Sequence, residues 1–277
     1  MSERPADLGR AGRNLPVALG VGVALGVLAL VTLFTYKPVF LGLMVIAIAI
    51  GMQEFCRALT AKDMHAPVIP LAAGAAAIII LSYVDGLHAM TAAMLYTIPV
   101  LVAWRVPRGT DGLVADVSSS LLALIYVGYL AGFAGLMLAP ADGDRRVTCF
   151  IATVVASDVG GYAAGVLFGK HLLAPRISPK KSIEGLAGSV LMCAVVGSIL
   201  CVTLLHAHWW QGVLFGLATV VTATLGDLGE SMVKRDLGIK DMGRLIPGHG
   251  GILDRFDSML LTAPVAWAML AAFVAVH

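Results

Sequence analysis

The chain has 277 residues, of which 59% are hydrophobic and 13% are charged, and its mean hydropathy is +0.90. Soluble domains usually carry about a quarter charged residues, so this composition excludes an ordinary water-soluble protein and predicts a polytopic membrane protein. The net charge of +2 says little by itself, because placement of charge matters more than its sum in a membrane protein. No nucleic-acid partner is expected.

Nine apolar segments recur along the chain, each able to cross a hydrocarbon core about 30 Å thick. Helices are expected, since strand-type alternation is missing and lipid forces the backbone to bond within each segment. The fold class is therefore an all-α integral membrane protein with about nine transmembrane helices. In chain order the predicted spans are 16–36, 38–57, 68–84, 87–104, 113–138, 147–168, 187–206, 212–232 and 256–276.

The distribution of lysine and arginine predicts which helix ends face the cytoplasm. With the N-terminus inside, all 19 basic residues except Lys37, Arg145 and Arg146 lie on the cytoplasmic side. This asymmetry favours N-terminus in and C-terminus out, in a multi-pass protein of the inner or plasma membrane. It also places both long charged connections, 169–186 and 233–255, on the cytoplasmic face.

Ionisable residues are distributed unevenly along the chain, and three regions are expected from this. Residues 1–14 are expected to form an N-terminal cytoplasmic tail. Residues 15–146 are expected to form a transmembrane scaffold of five helices, with little chemistry apart from Glu54 and Asp116 near membrane boundaries. Residues 147–277 are expected to form the region of four transmembrane helices that carries the chemistry.

The sixth span contains a single acid, Asp158, in the sequence SDVGGYAAGVLFGK. A carboxylate at membrane depth is costly and usually marks a pathway, a pairing partner or a water-filled site. Gly161, Gly165 and Gly169 follow at spacings of three, four and four, on the same helix face. A small-residue packing stripe explains the glycines but not the acid, which favours a functional role for Asp158.

The next connection carries the sequence RISPKKSIEG, residues 176–185. Ser178 followed by Pro179 predicts a helix N-cap and first helical position, with Lys180 and Lys181 in the first turn. Cations are disfavoured there unless an anion binds, so the pattern is typical of an anion site. A positive loop that holds the topology or contacts anionic lipid head groups explains the segment equally well.

The eighth span ends in TLGDLGESMVKRDLGIKD. On a helix, Asp227, Ser231 and Arg235 are spaced by four, and Glu230 and Lys234 lie beside them. One face therefore runs from a buried acid to two cations at the cytoplasmic edge. An interhelical salt-bridge network is the alternative interpretation.

Residues 247–257, PGHGGILDRFD, combine a glycine loop with two acids. Gly250 and Gly251 permit tight turns and close approach of backbone N–H groups to a ligand. Asp254 and Asp257 then project from one side of a helix start, and such carboxylates hold Mg²⁺ together with substrate phosphates. Paired acids, a glycine loop and many cations near one membrane face fit a metal–polyphosphate reaction at the bilayer surface.

The segment from Ser231 to Asp257, SMVKRDLGIKDMGRLIPGHGGILDRFD, resembles the signature of phosphatidate cytidylyltransferases, also called CDP-diacylglycerol synthases. The shared pattern is Ser, Lys-Arg, Lys-Asp, Pro-x-His-Gly-Gly and Asp-Arg-x-Asp. With SDVGGYAAGVLFGK and SPKKSIEG, the similarity covers about residues 150–260. Two positions depart from the family pattern: Ser182, where threonine is usual, and Ile183, where tryptophan is common. Serine keeps the hydroxyl.

The resemblance implies that CTP and phosphatidic acid, a membrane lipid, react to give CDP-diacylglycerol and pyrophosphate in phospholipid biosynthesis. It implies Mg²⁺, alone or with a second cation, bound by Asp227 and Asp254, with Asp158 and Asp257 as second-choice ligands. The other expected site residues are Lys234 and Arg235, which are catalytic, and Ser178, Lys180, Lys181, Ser231, Lys240, His249, Gly250, Gly251 and Arg255, which bind the substrates.

Three other interpretations stay open from the sequence. A CTP-dependent polyprenol or dolichol-type lipid kinase, distantly similar to this family, would transfer the γ-phosphoryl group instead. Asp158 and Asp227 are compatible with a secondary transporter, although transporters usually show paired repeats and midplane sites. A non-catalytic lipid-binding protein would need the basic residues but not the acids. A homodimer is compatible with the glycine-bearing helices, but nothing in the sequence requires one.

Overall fold

The computed structural model describes residues 15–175, 177–243 and 250–274, except for the side chains of residues 15–21, 23, 25 and 180. These residues form ten α-helices and a two-stranded antiparallel hairpin, β1 (Leu172–Ala174) and β2 (Ser178–Ser182). The helices are α1 (Leu15–Thr35), α2 (Lys37–Leu59), α3 (Val68–Val84), α4 (Gly86–Arg105), α5 (Leu113–Ala123), α6 (Leu130–Leu138), α7 (Gly143–Phe168), α8 (Ile183–Leu205), α9 (Trp209–Asp236) and α10 (Leu253–Phe273).

Shorter helical elements join some of these helices. A π-helical segment, Leu124–Tyr129, links α5 to α6, so that the three elements continue as one span from Leu113 to Leu138. Two 3₁₀ turns, Thr60–Lys62 and Val106–Arg108, follow α2 and α4. The hairpin between α7 and α8 is a small departure from the predicted all-helical chain.

Seven helical segments of the described chain are long and apolar enough to cross a membrane. Two shorter apolar stretches, Gly26–Thr35 and Val68–Val84, coincide with the first and third predicted spans. The predicted class, an all-α membrane protein, is therefore confirmed. The count of nine spans and the orientation of the termini stay predictions.

The last four helices pack through glycines that bring their backbones together. A Cβ at Gly160 of α7 would lie 2.7 Å from the carbonyl oxygen of Gly188 of α8. Farther along the same pair, Gly161 would meet the Ser189 hydroxyl at 2.6 Å. Small residues permit this approach between membrane helices. The glycine stripe that follows Asp158 is thus a packing surface for α8.

Basic residues make contacts at both ends of the helix bundle. At one end, Lys62 pairs with Asp236 at 2.6 Å. At the other, Lys37 donates to the carbonyl oxygens of Pro140 and Ala141, and buried Arg146 donates to carbonyl oxygens at the end of α10. The end near Lys62 also holds the hairpin and the start of α10, so the predicted site residues collect there.

Candidate active site

The hairpin before α8 corrects one prediction from the sequence. Ser178 belongs to strand β2 and does not cap a helix, so Lys180 and Lys181 lie on a strand rather than in a first helical turn. Helix α8 begins after Ser182, whose hydroxyl accepts a hydrogen bond from the N–H of Gly185 at 3.1 Å. The physical reason is pairing of residues 178–182 with β1, which keeps them extended up to the capping serine.

Glu184 secures this start of α8. Its carboxylate accepts hydrogen bonds from the backbone N–H groups of Lys170 and His171, at 3.1 and 3.2 Å. It therefore ties the first turn of α8 to the base of the hairpin, and an acid is favourable in that turn. These bonds hold the hairpin against the start of α8, and Lys181 of the hairpin lies next to α9.

Lys181 and Asp227 join the hairpin to α9. The Lys181 Nζ forms an ion pair with the Asp227 carboxylate, and both side chains are only partly exposed. Ser231, one turn farther along α9, lies with its hydroxyl 3.5 Å from the other Asp227 oxygen. Three residues that the sequence assigns to the site thus lie together.

A cavity of about 450 Å³ opens beside this ion pair, between α7, α8, α9 and the hairpin. Asp158, Lys181 and Asp227 supply its charged lining. Apolar residues complete the wall, including Leu173 and Leu186. A site that combines charged groups with apolar surface suits a molecule with an anionic head and a hydrocarbon chain.

Acids from three helices lie near enough to this cavity for their charges to influence one another. The negative charges of Asp158 on α7, Asp227 on α9 and Asp257 on α10 act on one another, and the charges of Lys181 and Arg255 offset that of Asp158. Their mutual repulsion favours a bound cation.

Close backbone packing brings two of these acids together. A Cβ at Gly226 would lie 2.5 Å from the carbonyl oxygen of Asp257, so α9 and α10 touch next to Asp227. Asp257 also accepts a hydrogen bond from the Ser258 N–H at 2.6 Å. The contact between the two helices therefore keeps Asp227 of α9 close to Asp257 of α10.

Lys234 forms the centre of a second, more deeply buried cluster. Its Nζ lies 3.1 Å from Glu230 of α9 and 2.9 Å from Asp254 of α10. The Glu230, Asp254 and Lys234 side chains are 0%, 6% and 14% exposed. One Glu230 oxygen has no hydrogen-bond partner within the described part of the chain. One cation thus serves two buried acids and ties α9 to α10.

Asp254 also organises the loop that precedes α10. Its carboxylate accepts hydrogen bonds from the N–H of Gly251 at 2.8 Å and from the N–H of Met242 at 3.1 Å. Gly250 has a φ of +87°, a left-handed conformation that glycine adopts without strain, as its place in the motif predicts. His249 lies outside the described residues.

A smaller cavity of about 200 Å³ adjoins the Lys234 cluster. It is formed by hairpin, α9 and loop residues, and three cations dominate it: Lys234, Arg235 and Lys240. Ser178 lines both this cavity and the larger one. Five residues that the sequence assigns to the site therefore line one cavity: Ser178, Ser231, Lys234, Arg235 and Lys240.

The described residues supply only part of the set of oxygen ligands that Mg²⁺ needs. Among the described residues, no three His, Cys, Asp or Glu side chains lie close enough to hold a metal by themselves. Mg²⁺ commonly uses one or two carboxylates and completes its shell with water and substrate phosphates. Asp227 and Asp254 offer such hard oxygen ligands, and their present partners are the ammonium groups of Lys181 and Lys234.

Glu54 and Glu230 also contact candidate site residues or the start of α10, although the sequence assigns neither to the site. Glu54 of α2 contacts the start of α10, and Glu230 is the buried partner of Lys234. Both were visible as acids within apolar spans, a pattern that marks function or pairing. The sequence does not show which helix each acid contacts.

Similarity to known proteins extends over nearly the whole chain. The family model of the cytidylyltransferases matches residues 17–273. A relative named phosphatidate cytidylyltransferase from Mycobacterium leprae is 42% identical over 98% of this chain and 92% of its own. Relatives of the same name from Mycobacterium tuberculosis and Synechocystis are 40% and 32% identical over 97% and 92% of this chain, covering 86% and 94% of their own.

These matches extend the resemblance seen in Ser231–Asp257 across both halves of the molecule. The residues that meet at the hairpin, α9 and the start of α10 all lie within the matched range. The chain therefore belongs to the cytidylyltransferase family.

Proposed function

We propose that this enzyme transfers the cytidylyl group of CTP to phosphatidic acid, giving CDP-diacylglycerol and pyrophosphate at the cytoplasmic face of the cell membrane. The relatives at 40–42% identity are named phosphatidate cytidylyltransferase. The observation that carries the proposal is the convergence of Lys181, Asp227, Lys234 and Asp254 at one end of a membrane helix bundle. CTP labelled at its α-phosphorus tests the chemistry, because that label must move to the lipid.

Family membership decides between the interpretations left open by the sequence. A secondary transporter and a non-catalytic lipid-binding protein are disfavoured, because the matched family consists of cytidylyltransferases. The relatives' name also favours nucleotidyl transfer over the γ-phosphoryl transfer of a lipid kinase. The two cavities suit a nucleotide and a lipid in either reaction, since one is cationic and the other partly apolar.

The reaction needs little proton transfer. The nucleophile is a phosphate monoester oxygen of phosphatidic acid, whose second pKa is about 6, so it is already largely anionic at neutral pH. It attacks the α-phosphorus of CTP while the bond from that phosphorus to the bridging oxygen breaks and pyrophosphate leaves. Catalysis then rests on in-line positioning and charge neutralisation. In this scheme His249 contacts a phosphate or holds its loop, and does not act as a general base.

The side chains divide these tasks. Asp227 and Asp254 would hold Mg²⁺, alone or with a second cation, the ion supplying neutralisation of charge at the α-phosphate and the leaving group. Asp158 and Asp257 would add further oxygen ligands. The remaining cations and donors would bind the triphosphate and the lipid phosphate: Ser178, Lys180, Lys181, Ser231, Lys234, Arg235, Lys240, Gly250, Gly251 and Arg255.

The membrane face is tested by labelling single cysteines in intact cells, after replacement of the four buried native cysteines. Lys62→Cys and Lys170→Cys lie at exposed positions near the site, and Arg145→Cys lies at an exposed position near the opposite end. We expect an impermeant maleimide to label position 145 in intact cells and positions 62 and 170 only after lysis, because basic loops stay cytoplasmic.

Lysed cells provide the control, since all three positions must react there. Labelling at positions 62 and 170 but not at 145 in intact cells would contradict the proposed orientation and indicate the opposite one.

A further inference from the structure

Glu54, on α2 in the N-terminal half, caps the start of α10. Its Oε2 accepts a hydrogen bond from the N–H of Leu253, the first residue of α10, at 3.0 Å. The first N–H groups of a helix have no partner within the helix, and a carboxylate placed there is favourable. Glu54 is only 6% exposed, so this contact lies inside the protein.

Two glycines of the loop before α10 rest on the same carboxylate. A Cβ at Gly243 would lie 2.1 Å from Glu54 Oε1, and a Cβ at Gly251 would lie 2.6 Å from Glu54 Oε2. Gly243 has no positive φ, and the three atoms nearest its missing Cβ all belong to Glu54. Close packing against Glu54, rather than backbone conformation, is therefore the reason for glycine at 243.

The loop ends held by Glu54 are the ones that orient Asp254. Gly251 and Met242, which precedes Gly243, donate their N–H groups to the Asp254 carboxylate. The same two loop ends thus contact both Glu54 and Asp254. Movement of Gly243 or Gly251 would change the position of Asp254.

We propose that Glu54 is a positioning residue, which holds the Gly243 and Gly251 ends of the loop against the start of α10 and so sets the position of Asp254 for the reaction. The assignment rests on the proposed role of Asp254 as a metal ligand. It gives the first half of the chain, expected to be scaffold, a direct part in forming the reaction centre.

Glu54→Ala and Glu54→Gln separate positioning from general stability. In the folded, monodisperse fraction, Glu54→Ala is expected to lower kcat on the order of a hundredfold and to raise the Mg²⁺ concentration needed for half-maximal rate, because Asp254 is displaced. Glu54→Gln keeps an oxygen that accepts from the Leu253 N–H, so its kcat should stay within about tenfold of the parent.

Asp116→Asn is the matched control. Asp116 is also a buried acid of the first half, but its partners among the described residues are Arg105 and the His65 N–H, neither of which belongs to the loop before α10. This variant should lower the yield of folded protein while leaving kcat and the Mg²⁺ requirement per folded molecule unchanged. If folded Glu54→Ala also keeps both parent values, the proposal is wrong.

A double variant tests the contact itself. Gly243→Ala should lower kcat in the parent background, where the methyl group meets Glu54, and should have little further effect in Glu54→Ala, where that space is free. Equal effects in both backgrounds would overturn the proposal. If this coupling is found but Asp254→Asn leaves the Mg²⁺ requirement unchanged, Glu54 does hold the loop and the metal assignment of Asp254 is the part that fails.

Discussion

Asp227→Asn is expected to lower turnover by at least about a hundredfold while leaving folded protein in the membrane. Asp227 lines the larger cavity, pairs with Lys181 and lies on the helix turn that touches Asp257. The amide keeps the size of the side chain but removes the charge that would bind Mg²⁺ and offset the lysine. Turnover of CTP by purified variant and parent, measured over a range of Mg²⁺ concentrations, gives the comparison.

Lys62→Ala is the control for this substitution. Lys62 lies at the same end of the bundle, but its ion pair with Asp236 is at the surface, with side chains 44% and 71% exposed. Such surface pairs contribute little, so activity should stay near the parent value. Near-normal activity of Asp227→Asn at low Mg²⁺ would show that Asp227 does not bind the metal.

Lys234→Met is expected to remove activity and to lower the free energy of unfolding by about 3–5 kcal/mol. The substitution keeps an unbranched apolar stem but leaves Glu230 and Asp254 buried without their shared cation. It also removes one of the cations that line the smaller cavity. Thermal unfolding in detergent and CTP turnover measure the two effects on the same preparation.

A second substitution separates the two roles of Lys234. In the double variant Lys234→Met/Glu230→Gln, the buried charge at 230 is gone, so part of the lost stability should return. Activity should not return, because the triphosphate still lacks its cation. A Lys234→Met protein as stable as the parent would mean that the buried ion cluster contributes nothing to folding.

The sequence predicted the membrane class and most helix positions well, because lipid permits few backbone structures and apolar length follows directly from bilayer thickness. It also predicted the glycine turn at Gly250 and the acid and cations along α9. These features depend on local periodicity and on residue chemistry, which a single chain displays.

The sequence could not predict the features that depend on tertiary pairing. Ser178 and Ser182 are both good N-caps, and only the pairing of β2 with β1 decides that α8 begins after Ser182. Glu54 and Leu253 are separated by most of the chain, so their hydrogen bond is visible only in the folded structure. The same holds for Lys234, whose link to Asp254 joins two helices.

The proposed reaction is tested most directly by following the individual phosphates of CTP. Purified protein is incubated with Mg²⁺, phosphatidic acid and CTP labelled either at the α- or at the γ-phosphorus, and the lipid and aqueous fractions are separated. We expect the α-label to enter the lipid and the γ-label to leave as pyrophosphate, with neither transfer in Asp227→Asn. Entry of the γ-label into the lipid would contradict cytidylyl transfer and identify a lipid kinase instead.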